Sequence, residues 1–152
     1  MGSSPTVVLV GCCGPKLDRR APARDLYTSD LFKKARAFAE RNGEQLGSWA
    51  ILSAKHSLIF PDRPTDPYDL SLSSLTPGEL ESWLITTEVS LRYHAGCFGW
   101  RRAVVLAGEG YIEAVRRSGI PFETPLAGMQ IGERLAWFKR EAGLFADAAV
   151  SP

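Results

Sequence analysis

The chain has 152 residues, a length that favours one domain with a core of its own. Its formal net charge of +1 excludes the global basic field of a general nucleic-acid coat protein. No apolar run approaches the ~20 residues of a membrane span, and the first residues lack the pattern of a signal peptide, so we expect no membrane association.

The first half of the chain predicts a strand, a helix and a second strand. Residues 6–11 (TVVLVG) form a β-branched run that ends at glycine, which is typical of a strand buried on both faces. Residues 28–43 have Leu31, Ala35 and Phe38 at helical spacing, with a Thr or Ser available as the cap. The apolar run at 48–54 (SWAILSA) predicts the next strand.

The second half begins with a strong helix signal. Thr76 is a candidate cap, Pro77 takes the first helical position, and Glu79 completes a capping box for a helix over 76–94. The remaining pattern predicts a strand at 102–108, a short helix at 109–119, a weaker strand at 121–126 and a last helix at 128–143.

This alternation of strands and helices predicts an α/β domain. We expect a doubly wound, three-layer sandwich with a central, mostly parallel sheet of about four strands. The domain covers residues 1–152, with a core at 6–142 and flexible ends. Residues 57–75 are the one long stretch without a helical or strand pattern, and a loop of that length in a compact domain is typically functional.

The cysteine and histidine content limits the chemistry. The chain has three cysteines and two histidines. An odd number of cysteines, two of them adjacent, indicates a reducing cytoplasm without a disulfide framework. Neither residue type shows zinc-ligand spacing, so we expect no metal and no cofactor.

Ligands bind at the carboxyl ends of the strands in an open α/β sheet, so the residues after each strand are the candidates. The segment GCCGPK after the first strand resembles an anion-binding turn with Lys16 behind it, or else a tight strand-to-helix turn. Ser53, Lys55 and His56 follow the second strand directly. His56 is either a general acid or base, or a hydrogen-bonded structural histidine.

Other candidates have two interpretations each. Asp69 could activate water, hold His56 or form an Asx turn. Tyr68 and Tyr111 could stack on a planar base or pack half-buried. Arg24 with Asp25 could be a phosphate clamp or a capping and ion-pair element. A further pair, Cys12 and Cys13, could supply a nucleophile beside His56 or small apolar packing.

Several motifs together resemble a bacterial family of small proteins related to the YaaA peroxide stress protein. They are CCGPK, APARDLYTSDLF, ILSAKHSLIFPD, PYDL, VVLAGEGY and PLAGMQIGERLAW, and they cover about residues 6–140. The layout is also distantly similar to the core domain of archaeosine synthase and to the uracil-DNA glycosylase superfamily. The resemblance implies a substrate site built from Cys12, Cys13, Gly14, Lys16, Arg24, Tyr27, Ser53, Lys55, Tyr68, Gly108, Tyr111, Gly128 and Met129.

The chain departs from this pattern in several places. The family's Cys-Ser is Cys-Cys here, and its Gly-Leu is Gly128-Met129. Its Ala-Lys-His-Gly ends in Ser57, so a residue suited to an unusual backbone angle is lost. The first loop also lacks the carboxylate that many uracil-DNA glycosylases carry there. Asp25 or Asp69 would have to take that role.

The resemblance and the residues together lead to one hypothesis. The chain is expected to recognise a modified or damaged base and to act on its N-glycosidic bond. Asp69, His56 and Asp25 are the catalytic candidates, and Lys16, Lys55 or His56 would stabilise the departing base and contact phosphate. The expected partner is nucleic acid, DNA rather than RNA, or a nucleotide. The alternatives are a non-catalytic DNA- or nucleotide-binding stress protein of YaaA type, or a small-molecule phosphate binder.

Overall fold

A computed structural model describes the backbone of residues 5–12, 14–43 and 45–150, and the side chains among them up to residue 141. The expected flexible ends are residues 1–5 and 143–152; of these, 1–4 and 151–152 lie outside the described residues, whereas the backbone of 143–150 belongs to the last helix. The element order is β1 (Thr6–Gly11), β2 (Ala21–Pro22), α1 (Ala23–Leu26), α2 (Asp30–Glu40), β3 (Trp49–Ser53), β4 (Ser57–Ile59), β5 (Pro64–Thr65), a 3-10 turn (Leu72–Ser74), α3 (Pro77–Phe98), β6 (Arg102–Leu106), α4 (Glu109–Ser118), β7 (Phe122–Glu123) and α5 (Ile131–Val150).

The central sheet has five strands in the described residues, in the order β4-β3-β1-β6-β7. Its central three strands are parallel, as the continuous apolar runs predict, and β7 adds a parallel edge. The mostly parallel sheet is therefore confirmed, with one strand more than expected. The extra strand is β4, which pairs antiparallel with β3.

Helices cover both faces of the sheet, an arrangement compatible with a three-layer sandwich. Alternate residues of β1 point to opposite faces, with Leu9 packing towards α3 and α4 and Val10 towards α1, α2 and α5. Both side chains are fully buried. Within the described part of the chain, no helix combines the length and apolarity that crossing a membrane requires.

The expectation of an irregular stretch at 57–75 was wrong in part. β3 turns back at residues 54–56, and β4 follows at once. Ser57 begins β4 with a φ of +65°, a left-handed angle that glycine adopts more readily than serine. Further along, β5 pairs with β2, so this segment is tied to the loop after β1.

The capping box predicted for α3 is confirmed. Thr76 Oγ1 accepts from the Glu79 backbone N–H, and the Glu79 side chain accepts from the Thr76 N–H. The helix continues past Gly96 and ends at Gly99, which has a φ of +73° and donates its N–H to the Ala95 carbonyl. The left-handed angle, rather than glycine itself, marks the end of the helix.

Candidate functional site

Three neighbouring strands end side by side at the carboxyl edge of the sheet. β1 lies between β3 and β6, with Gly11 opposite Leu52 and Val10 opposite Leu106. The backbone N–H of Cys12 donates to the Leu52 carbonyl at 3.0 Å, which extends the pairing one step beyond β1. The segments that follow these strands therefore share one surface, the usual ligand edge of an open α/β sheet.

A group of hydroxyls and one thiol joins these strand ends. Tyr68 Oη lies 2.7 Å from Ser53 Oγ, 2.7 Å from Tyr27 Oη and 3.4 Å from Cys12 Sγ. Cys12 Sγ is also 3.5 Å from Tyr111 Oη of α4. Cys12, Ser53 and Tyr27 are buried, while Tyr68 and Tyr111 are partly exposed. We call these five residues the tyrosine network.

Ser53 orients the network. Its Oγ accepts the backbone N–H of Lys55 at 3.2 Å and of His56 at 3.1 Å. A hydroxyl has two lone pairs and one proton, so Ser53 donates its own proton to Tyr68 Oη. The Ser53 carbonyl in turn accepts from Trp83 Nε1 of α3 at 2.9 Å. Both the hydroxyl and the backbone carbonyl of Ser53 are thus hydrogen-bonded, which holds the end of β3 in place.

Burial keeps two phenols of the network protonated. It is the largest cause that raises the pKa of both Tyr27 and Tyr68 above the ordinary value, and the neighbouring Cys12 raises it further. At neutral pH both hydroxyls therefore act as neutral donors and acceptors.

The loop after β1 carries a cation over the network. Gly14 has a φ of +68°, an angle that side-chain-bearing residues rarely adopt. Lys16 then forms an isolated antiparallel bridge with Tyr27. Its Nζ donates to the Gly14 carbonyl at 3.2 Å and lies 4.5 Å from the Tyr68 ring centroid. This position over the ring is worth about 0.5–1 kcal/mol at an exposed site.

The turn after β3 places two more groups beside the same ring. Lys55 Nζ lies 5.8 Å from the Tyr68 ring centroid, and the His56 ring meets it edge-on at 5.4 Å. Burial, followed by the positive charges of Arg63 and Lys55, lowers the pKa of His56 below its usual range. His56 is therefore a neutral imidazole at pH 7.

Two adjoining hollows open beside the network. The Tyr68 cleft, of about 460 Å³, is lined by residues 14–17 and 67–69. The Tyr111 cavity, of about 280 Å³, is lined by Cys12, Gly14, Lys16, Leu70, Ser71, Leu72, Ser73 and Tyr111. Gly14 and Lys16 belong to both linings, so the two hollows meet at the loop after β1. Among the described residues, no three His, Cys, Asp or Glu side chains are placed to hold a metal ion.

A third, mainly apolar cavity of about 230 Å³ lies behind Cys12 and Tyr111. Phe32, Leu106 and Phe138 contribute much of its wall. Cys12 and Tyr111 therefore separate this interior space from the Tyr111 cavity.

Comparison with known proteins places the chain in a family. Residues 7–140 match the model of DUF6884, described as a family of unknown function. The chain belongs to this family. Comparison with curated proteins finds no match. Among solved structures, it is similar to "AF0587, a protein of unknown function", at 18% identity and a TM-score of 0.49, over 87% of this chain and 43% of that one. The DUF6884 chain thus spans less than half the length of that protein.

The structure separates the two candidate carboxylates of the DUF6884 chain. Asp69 is exposed, lines the Tyr68 cleft, and forms no ion pair with any residue that the structure describes. Asp25 instead pairs with Arg36 of α2 at 2.8 Å. Only Asp69 lies beside the network.

Arg24 also lies away from the network. Its guanidinium pairs with Glu40 at 3.0 Å and with Asp62. It lines a hollow with Ser48 and Trp49, which are at the start of β3, whereas the network is at the end of that strand. Arg24 and Asp25 thus take part in the ion pairs that were the alternative to a phosphate clamp.

The remaining candidates lie around the network or beyond it. Gly108 is the N-cap of α4 and lines the apolar cavity. Gly128 is exposed with a φ of +78°, and Met129 is partly buried against the α2 side of the core. Cys13 lies outside the described residues.

Sequence reasoning missed Arg63 and Arg134. Arg63 acts on His56 through its charge, and Arg134 lines the apolar cavity while its Nε donates to the Met129 carbonyl at 3.0 Å. Neither residue follows a strand directly, so the expectation that ligands bind at the carboxyl ends of strands does not point to them. Only the pairing of β2 with β5 and the position of α5 reveal them.

Proposed function

We propose that this DUF6884 chain is an enzyme that hydrolyses the N-glycosidic bond of a modified or damaged nucleobase. One observation carries the proposal: the Asp69 carboxylate, the Lys16 side chain and the Tyr68 ring line a single cleft. The first two supply opposite charges, and no ion pair joins them to each other.

Glycosidic cleavage needs both charges. As the bond from C1′ to the base nitrogen lengthens, the sugar becomes cationic and the base gains the electron pair. Asp69 stabilises the sugar and accepts a proton from the attacking water, whose oxygen forms the new bond to C1′. Lys16 stabilises the departing base until solvent protonates it. Asp69 then releases its proton to solvent, so the net reaction adds one water across the bond between C1′ and the base nitrogen.

The Tyr111 cavity is the natural place for the base. Leu70, Leu72 and Tyr111 supply apolar surface there, and Lys16 stands between this cavity and the Tyr68 cleft. A base held there would put its sugar at the cleft. Tyr68 positions the site, because three network partners hold its hydroxyl. Tyr111 is then the residue that stacks on the base.

His56 acts in this proposal as a neutral hydrogen-bonding group. Its lowered pKa makes it a poor proton donor at pH 7 and leaves Lys16 as the cation nearest the base. We further propose a fold of the uracil-DNA glycosylase type and a kinship with the YaaA-related proteins, on the motif resemblance given above.

The test is a base-release assay with matched variants. The protein is incubated with oligonucleotides that carry uracil, hypoxanthine, 5-hydroxymethyluracil or deazaguanine-type bases, and free base is identified by mass. Asp69→Asn should lower release about 10²-fold or more, the usual contribution of a general base. Asp66→Asn, in the same segment, and Asp25→Asn, in the ion-pair cluster, should retain it.

Two results would count against the proposal. Equal loss in Asp69→Asn and Asp66→Asn would assign the effect to surface charge rather than to a water-activating group. Failure of the unmodified chain to release any base, with oligonucleotides still retained, would favour the non-catalytic DNA- or nucleotide-binding alternative.

A further inference from the structure

Three cations around the network lack an acidic partner. Lys16, Lys55 and Arg63 form no ion pair with any described carboxylate. In contrast, the arginines of the surrounding elements are neutralised: Arg20 by Asp66, Arg24 by Glu40 and Asp62, and Arg36 by Asp25 and Glu40.

The three cations converge on one aromatic residue and its neighbour. Lys16 Nζ lies 4.5 Å and Lys55 Nζ 5.8 Å from the same Tyr68 ring centroid. Arg63 directly precedes β5 on the segment that leads to Tyr68, and its carbonyl accepts the Ala23 N–H at 2.9 Å. Its charge disfavours protonation of His56, whose ring is edge-on to Tyr68. Two of the positive charges therefore lie at the Tyr68 ring, in a chain whose net charge is only +1, and Asp69 of the same cleft pairs with neither of them.

A cluster of uncompensated cations fits a ligand with several negative charges. An uncharged nucleoside would leave all three cations without a counter-charge, whereas a nucleic-acid strand offers one phosphate for each nucleotide. A base that must enter a side cavity also has to leave the base stack, which is easiest from a single strand.

We infer that Lys16, Lys55 and Arg63 bind the phosphates of one nucleic-acid strand, whose base enters the Tyr111 cavity. The identity of that base-bearing ligand rests on the proposed function. Because the cluster has three cations, we expect contacts to about three phosphates.

The salt dependence of binding tests this inference. The full chain carrying Asp69→Asn is titrated into a fluorescein-labelled 12-nucleotide single-stranded DNA, and anisotropy is followed between about 50 and 200 mM salt. Three phosphate contacts predict a slope of about −2 in a plot of log K against log salt, at about −0.7 per contact. Each single Gln substitution of Lys16, Lys55 or Arg63 should make the slope less negative by about 0.7. The triple substitution should bring the slope close to zero.

A matched triple variant supplies the control. Lys34→Gln, Arg101→Gln and Lys139→Gln change the net charge by the same amount at exposed positions elsewhere. This variant should keep the full slope. Thermal melting of both triple variants checks that they are folded.

Three outcomes would overturn the inference. The first is that the control triple variant weakens binding as much as the triple variant of Lys16, Lys55 and Arg63, which would indicate a diffuse charge effect. The slope could be unchanged by the site substitutions. A nucleoside triphosphate could compete as well as the oligonucleotide, which would indicate a free nucleotide. Because the variant used lacks the Asp69 carboxylate, binding with the expected slope beside an inactive unmodified enzyme would refute the proposed function alone.

Discussion

The hydroxyl of Ser53 lies 2.7 Å from the phenol oxygen of Tyr68, a contact that joins residues 15 positions apart in sequence. It ties the end of β3 to the segment that returns after β5. Tyr27 and Cys12 lie 2.7 and 3.4 Å from the same phenol oxygen, so the three contacts together hold the Tyr68 ring under Lys16. The Ser53 contact therefore contributes to the position of the Tyr68 ring in its cleft.

Ser53→Ala should destabilise the fold markedly. The substitution removes the acceptor of two backbone N–H groups, of Lys55 and His56, and the donor to Tyr68. Leaving such groups without a partner costs about 1–3 kcal/mol, to be measured as the free energy of unfolding in urea. Ser73→Ala, at an exposed position, should change it by less than about 0.5 kcal/mol. Similar values for the two variants would contradict the role given to Ser53.

Alkaline pH should expose the contribution of Tyr27. Its pKa in the fold is raised by burial, so above pH 10 the unfolded chain loses a proton that the folded chain keeps. Stability that is present below pH 10 is then lost as pH rises, by up to about 1.4 kcal/mol per pH unit for this group. Tyr27→Phe should make the decline shallower by that amount between about pH 10 and 11.5, as followed by urea unfolding at each pH.

Below pH 9 the variant and the parent should show parallel profiles. Equal slopes above pH 10 would show that Tyr27 ionises in the fold as it does in the unfolded chain.

Much of the architecture could be predicted from the sequence because its signals are local. The apolar run of β1 and the capping box at Thr76 and Glu79 each lie within a few residues, and both appear as predicted. β4 was missed for a physical reason. Its turn has no glycine or asparagine, and Ser57 takes the left-handed angle without a sequence signal for it.

The candidate site could be predicted as a set of residues but not as an arrangement. Cys12 and Ser53 follow strand ends, so topology alone brings them together. The position of Tyr68 depends on the pairing of β5 with β2, which involves two residues in each strand and has no periodic pattern. The role of Arg24 depends on its approach to Asp62, a contact between residues 38 positions apart. Such contacts depend on the packed fold, and a single sequence does not encode them locally.

The charge of Arg63 should be visible in the titration of His56. Burial is the main cause of the lowered pKa of this histidine, and Arg63 is the next. Arg63→Gln should therefore raise the pKa of His56 towards its usual range. The measurement is the NMR titration of the imidazole in a His94→Gln background, which leaves one histidine signal. Arg101→Gln, at an exposed position, provides the charge-matched control and should leave the titration unchanged. An unmoved pKa in Arg63→Gln would remove Arg63 from the cation cluster.

Gly11→Ala should destabilise the end of β1 where it packs against the segment after β6. A Cβ at this position would lie 2.7 Å from Ala107 Cβ and 3.2 Å from its backbone Cα, and backbone cannot shift cheaply. Such overpacking costs about 1–3 kcal/mol of unfolding free energy. The same substitution at Gly78 of α3 meets no atom within 4 Å and should stabilise the helix by about 0.5–1 kcal/mol. Opposite signs in denaturant unfolding are the expected result, and a neutral Gly11→Ala would show that the edge is loosely packed.

Ser57→Gly should stabilise the protein. Ser57 holds a φ of +65°, where a side chain costs about 1–2 kcal/mol, while glycine adopts this angle freely but loses about 0.5–1 kcal/mol more chain entropy on folding. The difference favours glycine by about 0.5–1 kcal/mol, measured as the free energy of unfolding. Ser82→Gly is the control, because Ser82 is exposed within α3 and glycine there should cost about 0.5 kcal/mol. If both variants lose stability alike, the turn after β3 holds no left-handed strain.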